Sequence, residues 1–174
     1  MALVLKFRMV CDERENFVRD IEVGAEMTLL QLNDFICDEL GYDNDVMTSF
    51  FLADERWRKL REFTLMDMGA GMGGPEEELP IPMESVTLGQ LIRTMDDRLI
   101  WVFDMFGDRA YFLELIEPKQ PEKNMTYPRV AFAHGEAPDQ YDADEEGENE
   151  KSIFEEMMDD FGGFSGDDSY DDEY

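Results

Sequence analysis

The chain has 174 residues, enough for one domain with a sizeable core and an extension. Forty-three acidic residues stand against 15 basic ones, a net charge of −28 at pH 7; a field of that sign repels phosphates, so it disfavours direct binding to nucleic acid or an anionic membrane and favours basic partners. Two cysteines exclude a disulfide framework, and no apolar stretch approaches the roughly 20 residues of a membrane span.

In chain order, Leu3 to Val10 alternates as a strand, Cys11 to Asn16 is a charged turn, and Phe17 to Val23 returns. The opening apolar run is cut by Lys6 and Arg8, so no leader is read in it. Thr28-x-x-Gln31 is a capping box that starts a helix, with Met27 and Leu32 as its hydrophobic staple. Leu29, Leu32, Phe35, Ile36 and Leu40 share one face of it, and Gly41 stops it. Ser49 to Leu52 and Glu62 to Met66 are short strands.

A loop over 68–85 follows, rich in Gly and Pro at its start. Met27-Thr-Leu-Leu-Gln-Leu then returns as Val86-Thr-Leu-Gly-Gln-Leu, which we read as convergent capping chemistry heading a helix from Leu88 to about Met95. Arg98 to Glu117 is a hairpin, two β-prone runs around Phe106-Gly107-Asp108. Pro118 to Met125 is a linker, Tyr127 to Ala133 a last strand, and Ala137-Pro138 the end of the domain, 1–138.

Residues 139–174 form an acidic tail. From His134 onward there are 17 acids and one base, Lys151. Such a composition predicts disorder. A third capping box, Ser152-x-x-Glu155, heads a predicted short amphipathic helix over 152–161, whose stripe is Ile153, Phe154, Met157, Met158 and Phe161. That stripe either docks on the domain's own sheet or folds into a partner's groove.

The order of elements predicts an α+β fold: a mixed or antiparallel sheet packed on helices, with a β-grasp-like hairpin–helix start and a disordered acidic C-terminus. Leu3 to about Tyr141 also resembles the plasmid pRiA4b ORF-3-like family, some of whose members are labelled as insertion-element passenger proteins. Thr28 to Tyr42 looks like that family's helix. Trp101 to Glu117 looks like its strand motif, Y-x-Y-D-F-G-D-x-W-x-H-x-I-x-L-E, matched at Trp101, Phe103, Asp104, Gly107, Asp108 and Glu117. Tyr111 and Leu113 stand where the motif has Trp and His. The resemblance implies a fold and brings no biochemistry with it.

The candidate chemistry is sparse. His134 is the single histidine, and no sequence feature ties it to Cys11 or Cys37, so we read a loop histidine and two reduced thiols. Asp142 to Ile153 begins like an EF-hand loop but has Ile153 where the bidentate Glu belongs. Gly69 to Gly74 lacks the Lys-Ser/Thr of a phosphate loop. Asp104 and Asp108 are a carboxylate pair, and such a pair can serve as general acid and base, but they flank a turn and read as its backbone acceptors. Arg56, Trp57, Arg58, Lys59 and Arg61 form a positive island that suits an anion or the chain's own acidic tail.

The expectation is a cytoplasmic, non-enzymatic protein-binding domain with no cofactor and no metal, using Ile153, Phe154, Met157, Met158 and Phe161 as anchors for a partner with a basic surface. The alternatives are a nucleic-acid-related role, as a DNA-mimic inhibitor or mobile-element factor, and a small enzyme with a carboxylate pair.

Overall fold

The computed structural model describes residues 3–66 and 79–141. The chain divides after Pro138 into two units, Met1–Pro138 and Asp139–Tyr174. Every element below belongs to the first.

The strands are β1 (Val4–Cys11), β2 (Arg14–Gly24), β3 (Ser49–Ala53), β4 (Lys59–Thr64), β5 (Ile81–Pro82), β6 (Arg98–Asp104), β7 (Arg109–Lys119) and β8 (Arg129–His134). The helices are α1 (Leu29–Leu40) and α2 (Leu88–Leu91). All eight strands join one mixed sheet in the order β5-β4-β3-β6-β7-β1-β2-β8, antiparallel except for the two-residue pairing of β5 with β4. The unit is therefore mostly sheet, and it opens with the hairpin and helix that the sequence predicts.

Side chains two apart on a strand share a face. Phe7 and Met9 of β1, Phe17 and Ile21 of β2, Leu99, Trp101 and Phe103 of β6, and Tyr111 and Leu113 of β7 all enter one buried cluster. Leu29, Leu32 and Ile36 of α1 enter the same cluster, so α1 packs on that face. Its start is the capping box: Thr28 Oγ1 accepts from the Gln31 N–H at 3.1 Å, and Gln31 Oε1 accepts from the Thr28 N–H at 3.0 Å. Its end is Gly41, whose φ of 75° is left-handed and open to glycine without penalty.

The opposite face carries a second, smaller cluster of Ala53, Ile100, Val102 and Ala110, with Phe51, Trp57 and Phe112 packed against it. Neither helix contributes a residue to it. Both edges of the sheet are blunted, β5 by its two-residue length and β8 by a bulge opposite Asp20 and Ile21.

Several boundaries differ from expectation. The helix predicted from Leu88 to Met95 ends at Leu91, because Ile92 turns extended and Asp97 Oδ2 takes the N–H groups of Arg93 and Thr94 instead. The loop expected through residue 85 already contains β5 and a 3-10 turn, Met83–Ser85, with Met83 fully buried. Strand β4 begins at Lys59 rather than Glu62, since it pairs back to Ala53. Strand β8 starts at Arg129, two residues late.

Candidate functional site

The β3–β4 turn is built by Asp54. Its Oδ1 accepts from the backbone N–H groups of Arg56 and Arg58, both at 2.9 Å, and its Oδ2 from Arg58 Nε at 2.7 Å. Those donors hold the Asp54 carboxyl below the usual carboxylate range, the backbone N–H of Arg58 contributing most. The Asp54 backbone closes the turn, accepting from the Trp57 N–H and donating to the Arg58 carbonyl. Trp57 is left at φ 65°, a left-handed conformation that a bulky side chain adopts at a cost of order 1–2 kcal/mol.

This geometry returns the Trp57 ring to the second sheet face. It meets Phe112 edge-on, with centroids 5.3 Å apart, and the Arg98 guanidinium lies 5.2 Å from its centroid. Arg98 Nη2 also bonds Glu114 Oε2 at 3.2 Å, while its Nε and Nη1 are buried without a partner among the described residues. Beside it, Lys59 Nζ stands 4.4 Å above the Phe51 ring. Register explains the grouping. Phe51 pairs with Ile100 and Ile100 with Phe112, while Ala53 pairs with both Lys59 and Arg98. The result is a half-open strip of three aromatic rings, Phe51, Trp57 and Phe112, with a cation over the first two and carboxylates close by.

The helix-covered face supports this strip from behind. Asn33 on α1 is completely buried, and its Oδ1 accepts from both Thr48 Oγ1 at 2.7 Å and Trp101 Nε1 at 2.8 Å. Its Nδ2 has no partner among the described residues. Tyr42 and Tyr111 share a 2.6 Å hydrogen bond between their hydroxyls, and Tyr42 also donates to the Pro138 carbonyl. Burial pushes Tyr42 up to about 12. At the other end of the sheet, Glu22 is buried between Lys119 Nζ at 3.1 Å and Arg129 Nη1 at 2.6 Å. Burial alone would raise Glu22, but hydrogen bonds from Arg129 and Lys119 prevail and hold it below the usual range.

The positive island read from the sequence is divided. Trp57 and Lys59 join the strip, Arg58 folds onto Asp54, and Arg61 donates to the Leu79 carbonyl at 3.0 Å. Of Arg56, only the backbone bond to Asp54 enters the turn. Arg98, Phe51 and Phe112 complete the strip and were missed as site residues; their signal was the alternation that sets them on the face opposite Trp101 and Tyr111.

The family-motif residues also separate. Trp101 and Phe103 are core, and Glu117 is exposed. Asp104 Oδ1 accepts from the Gly107 N–H at 3.0 Å, a turn role, and Asp108 takes φ 55°. Between them Phe106 is fully exposed at the tip. His134 ends β8, exposed, its carbonyl accepting from Arg19 Nη1. Cys11 and Cys37 are buried free thiols, and burial pushes Cys37 up to about 12, so it stays protonated and unreactive. The tail stripe Ile153, Phe154, Met157, Met158 and Phe161, the Asp142–Ile153 loop and Gly69–Gly74 lie outside the described residues. Among the described residues no group of three or more His, Cys, Asp or Glu side chains is placed to hold a metal, and no helix is long and apolar enough to cross a membrane.

The sequence matches the family model described as Plasmid pRiA4b ORF-3-like protein over residues 3–161. A crystal structure from Methanosarcina mazei Go1, a protein of unknown function named MM3350, superposes with a TM-score of 0.60 at 13% identity. The match covers 75% of this chain and 69% of that one, and shows the shared fold. No curated protein matches the chain.

Proposed function

The chain belongs to the plasmid pRiA4b ORF-3-like family, and on that footing we propose that it is a non-enzymatic α+β protein-binding domain of the cytoplasm whose working surface is the open sheet face around Trp57. The observation that carries this reading is Trp57 itself. A bulky residue is held in left-handed backbone on a face that neither helix covers, with Phe112 at its edge and Arg98 over its ring. Aromatic and Arg side chains are the residue types that anchor protein interfaces. The strip's cations are interleaved with Glu114, Asp54 and Glu62, which suits a protein surface of mixed charge better than a polyanion. Two buried free thiols fit a reducing compartment.

Within this reading the tail residues Ile153, Phe154, Met157, Met158 and Phe161 are a second anchor, steered by their acidic surroundings to a basic region of the same partner. The test is affinity capture from native cytosol with three versions of the protein: the full chain, the full chain carrying Trp57→Ala, and a chain ending at Gln140. A partner held by the full chain and lost with Trp57→Ala supports the sheet face. A partner lost only on truncation moves the function to the tail, and equal capture by all three overturns both assignments.

A further inference from the structure

A cleft of about 260 Å³ lies away from the Trp57 strip, lined by Gly24, Glu26, Met27, Gln31, Tyr127 and Pro128. Drug-sized and nucleotide ligands fill cavities of roughly 300–1,000 Å³, so this one is sized for a single side chain or a small aliphatic molecule. We propose that it binds an alkylammonium group, with Glu26 as the counter-ion and Tyr127 as the aromatic wall.

Four observations place those roles. Glu26 is exposed and forms no hydrogen bond or ion pair with the described residues, so its charge is free. Its carboxylate is folded back over Gly24, one of the cleft residues, where a Cβ would meet Oε1 and Oε2 at 3.0 Å, so the charge lies at the cleft. The walls are held still. Gln31 Oε1 is taken by the Thr28 N–H at 3.0 Å, and the Tyr127 hydroxyl accepts from the Glu122 N–H at 3.0 Å. Met27 and Pro128 supply apolar sides for an aliphatic stem, and a tyrosine face attracts a cation.

One charge opposes this. The N-terminal end of α1 carries about half a positive charge, which opposes a cation. Glu26 contributes a full negative charge, and the chain's net −28 raises the local concentration of cations. Glu22, two residues before Gly24 on β2, adds little, since Lys119 and Arg129 pair with it. The balance favours a weak cation site, screened by salt. An anion, which the helix end alone would attract, meets Glu26 first. The site stands whether or not the Trp57 face binds a protein.

Lysine side chains of a protein and free aliphatic diamines share this chemistry. The test is an amide NMR titration of the full chain with n-butylammonium chloride at low salt. The expected result is saturable shifts at Gly24, Glu26, Met27 and Gln31, with binding weakened about fivefold in Glu26→Gln. Tyr127→Leu weakens it too, and the same spectra report that each variant is folded. N-acetyl-lysine-N-methylamide and 1,4-diaminobutane then separate the sources: comparable shifts from the lysine compound assign a protein lysine, and a response confined to the diamine assigns a free amine. Absence of saturable shifts, equal binding by Glu26→Gln, or binding of acetate in place of the ammonium ion overturns the proposal.

Discussion

Thr28 and Thr87 face each other across an isolated antiparallel bridge. The Leu29 N–H donates to the Val86 carbonyl at 3.1 Å, and the Leu88 N–H returns the bond to Met27 at 2.9 Å. Each helix thus has its first unpaired N–H satisfied by the residue preceding the other's cap. This is the physical meaning of the repeated six-residue phrase. The two copies are alike because they cap one another.

The phrase differs at one internal position, Leu30 against Gly89. The Gly89 N–H donates to the Ala25 carbonyl at 2.8 Å, and a Cβ on Gly89 would stand 3.2 Å from that oxygen and 3.3 Å from the Ala25 Cβ. Backbone gives way poorly, so Gly89→Ala is expected to destabilise by about 1 kcal/mol net of the helix-propensity gain of Ala over Gly. Thr28→Ala, which removes a capping oxygen, is expected to cost about 1 kcal/mol. Urea unfolding measures both, and Leu30→Ala serves as the comparison for the unconstrained copy.

Asn33 is the buried hub between α1 and the sheet, so its loss is expected to be severe. Asn33→Leu leaves Thr48 Oγ1 and Trp101 Nε1 without their acceptor. The expected destabilisation is about 2–4 kcal/mol, with a shift in Trp101 emission before unfolding. Thr48→Val, which removes one donor and leaves the indole bond, is expected to cost about 1 kcal/mol.

Glu22 predicts an acid limb of the stability curve. Its folded pKa lies below its unfolded value, so its contribution is fully present above the ordinary carboxylate range and is lost as pH falls through the folded value. In Glu22→Gln that part of the acid-side slope disappears. The variant is less stable by about 2 kcal/mol at pH 7, where Lys119 and Arg129 lose their buried partner. Melting temperatures from pH 7 down to pH 3, compared between the two proteins, read the difference directly.

Much of the sheet was legible in the sequence because its signals are local. Leu99, Trp101 and Phe103 alternate with Ile100 and Val102, and the chain places the first set among Phe7, Tyr111 and Leu113 and the second on the far side. The capping residues Thr28 and Gln31 and the stop at Gly41 are equally local. What escaped was decided by distant partners. Asn33 reads as a polar interruption on an apolar helix face until Thr48 and Trp101 arrive beside it. Strand β5 owes its two residues to Phe63 and Thr64. The end of α2 is set by Asp97, six residues beyond Leu91, taking N–H groups that a longer helix would have used. The Trp57 strip needed the register of β3, β6 and β7 together, so from sequence only its contiguous part, Arg56 to Arg61, was visible.

Trp57 as the anchor of a protein partner is tested by calorimetric titration of the captured, purified partner into the full chain and into Trp57→Ala. Loss of an interface anchor of this kind costs about 2 kcal/mol or more, so the expected result is a weakening of roughly 30-fold or greater for a variant whose amide spectrum remains that of the folded protein. An unchanged dissociation constant in the folded variant would contradict the claim and take the binding surface away from this face of the sheet.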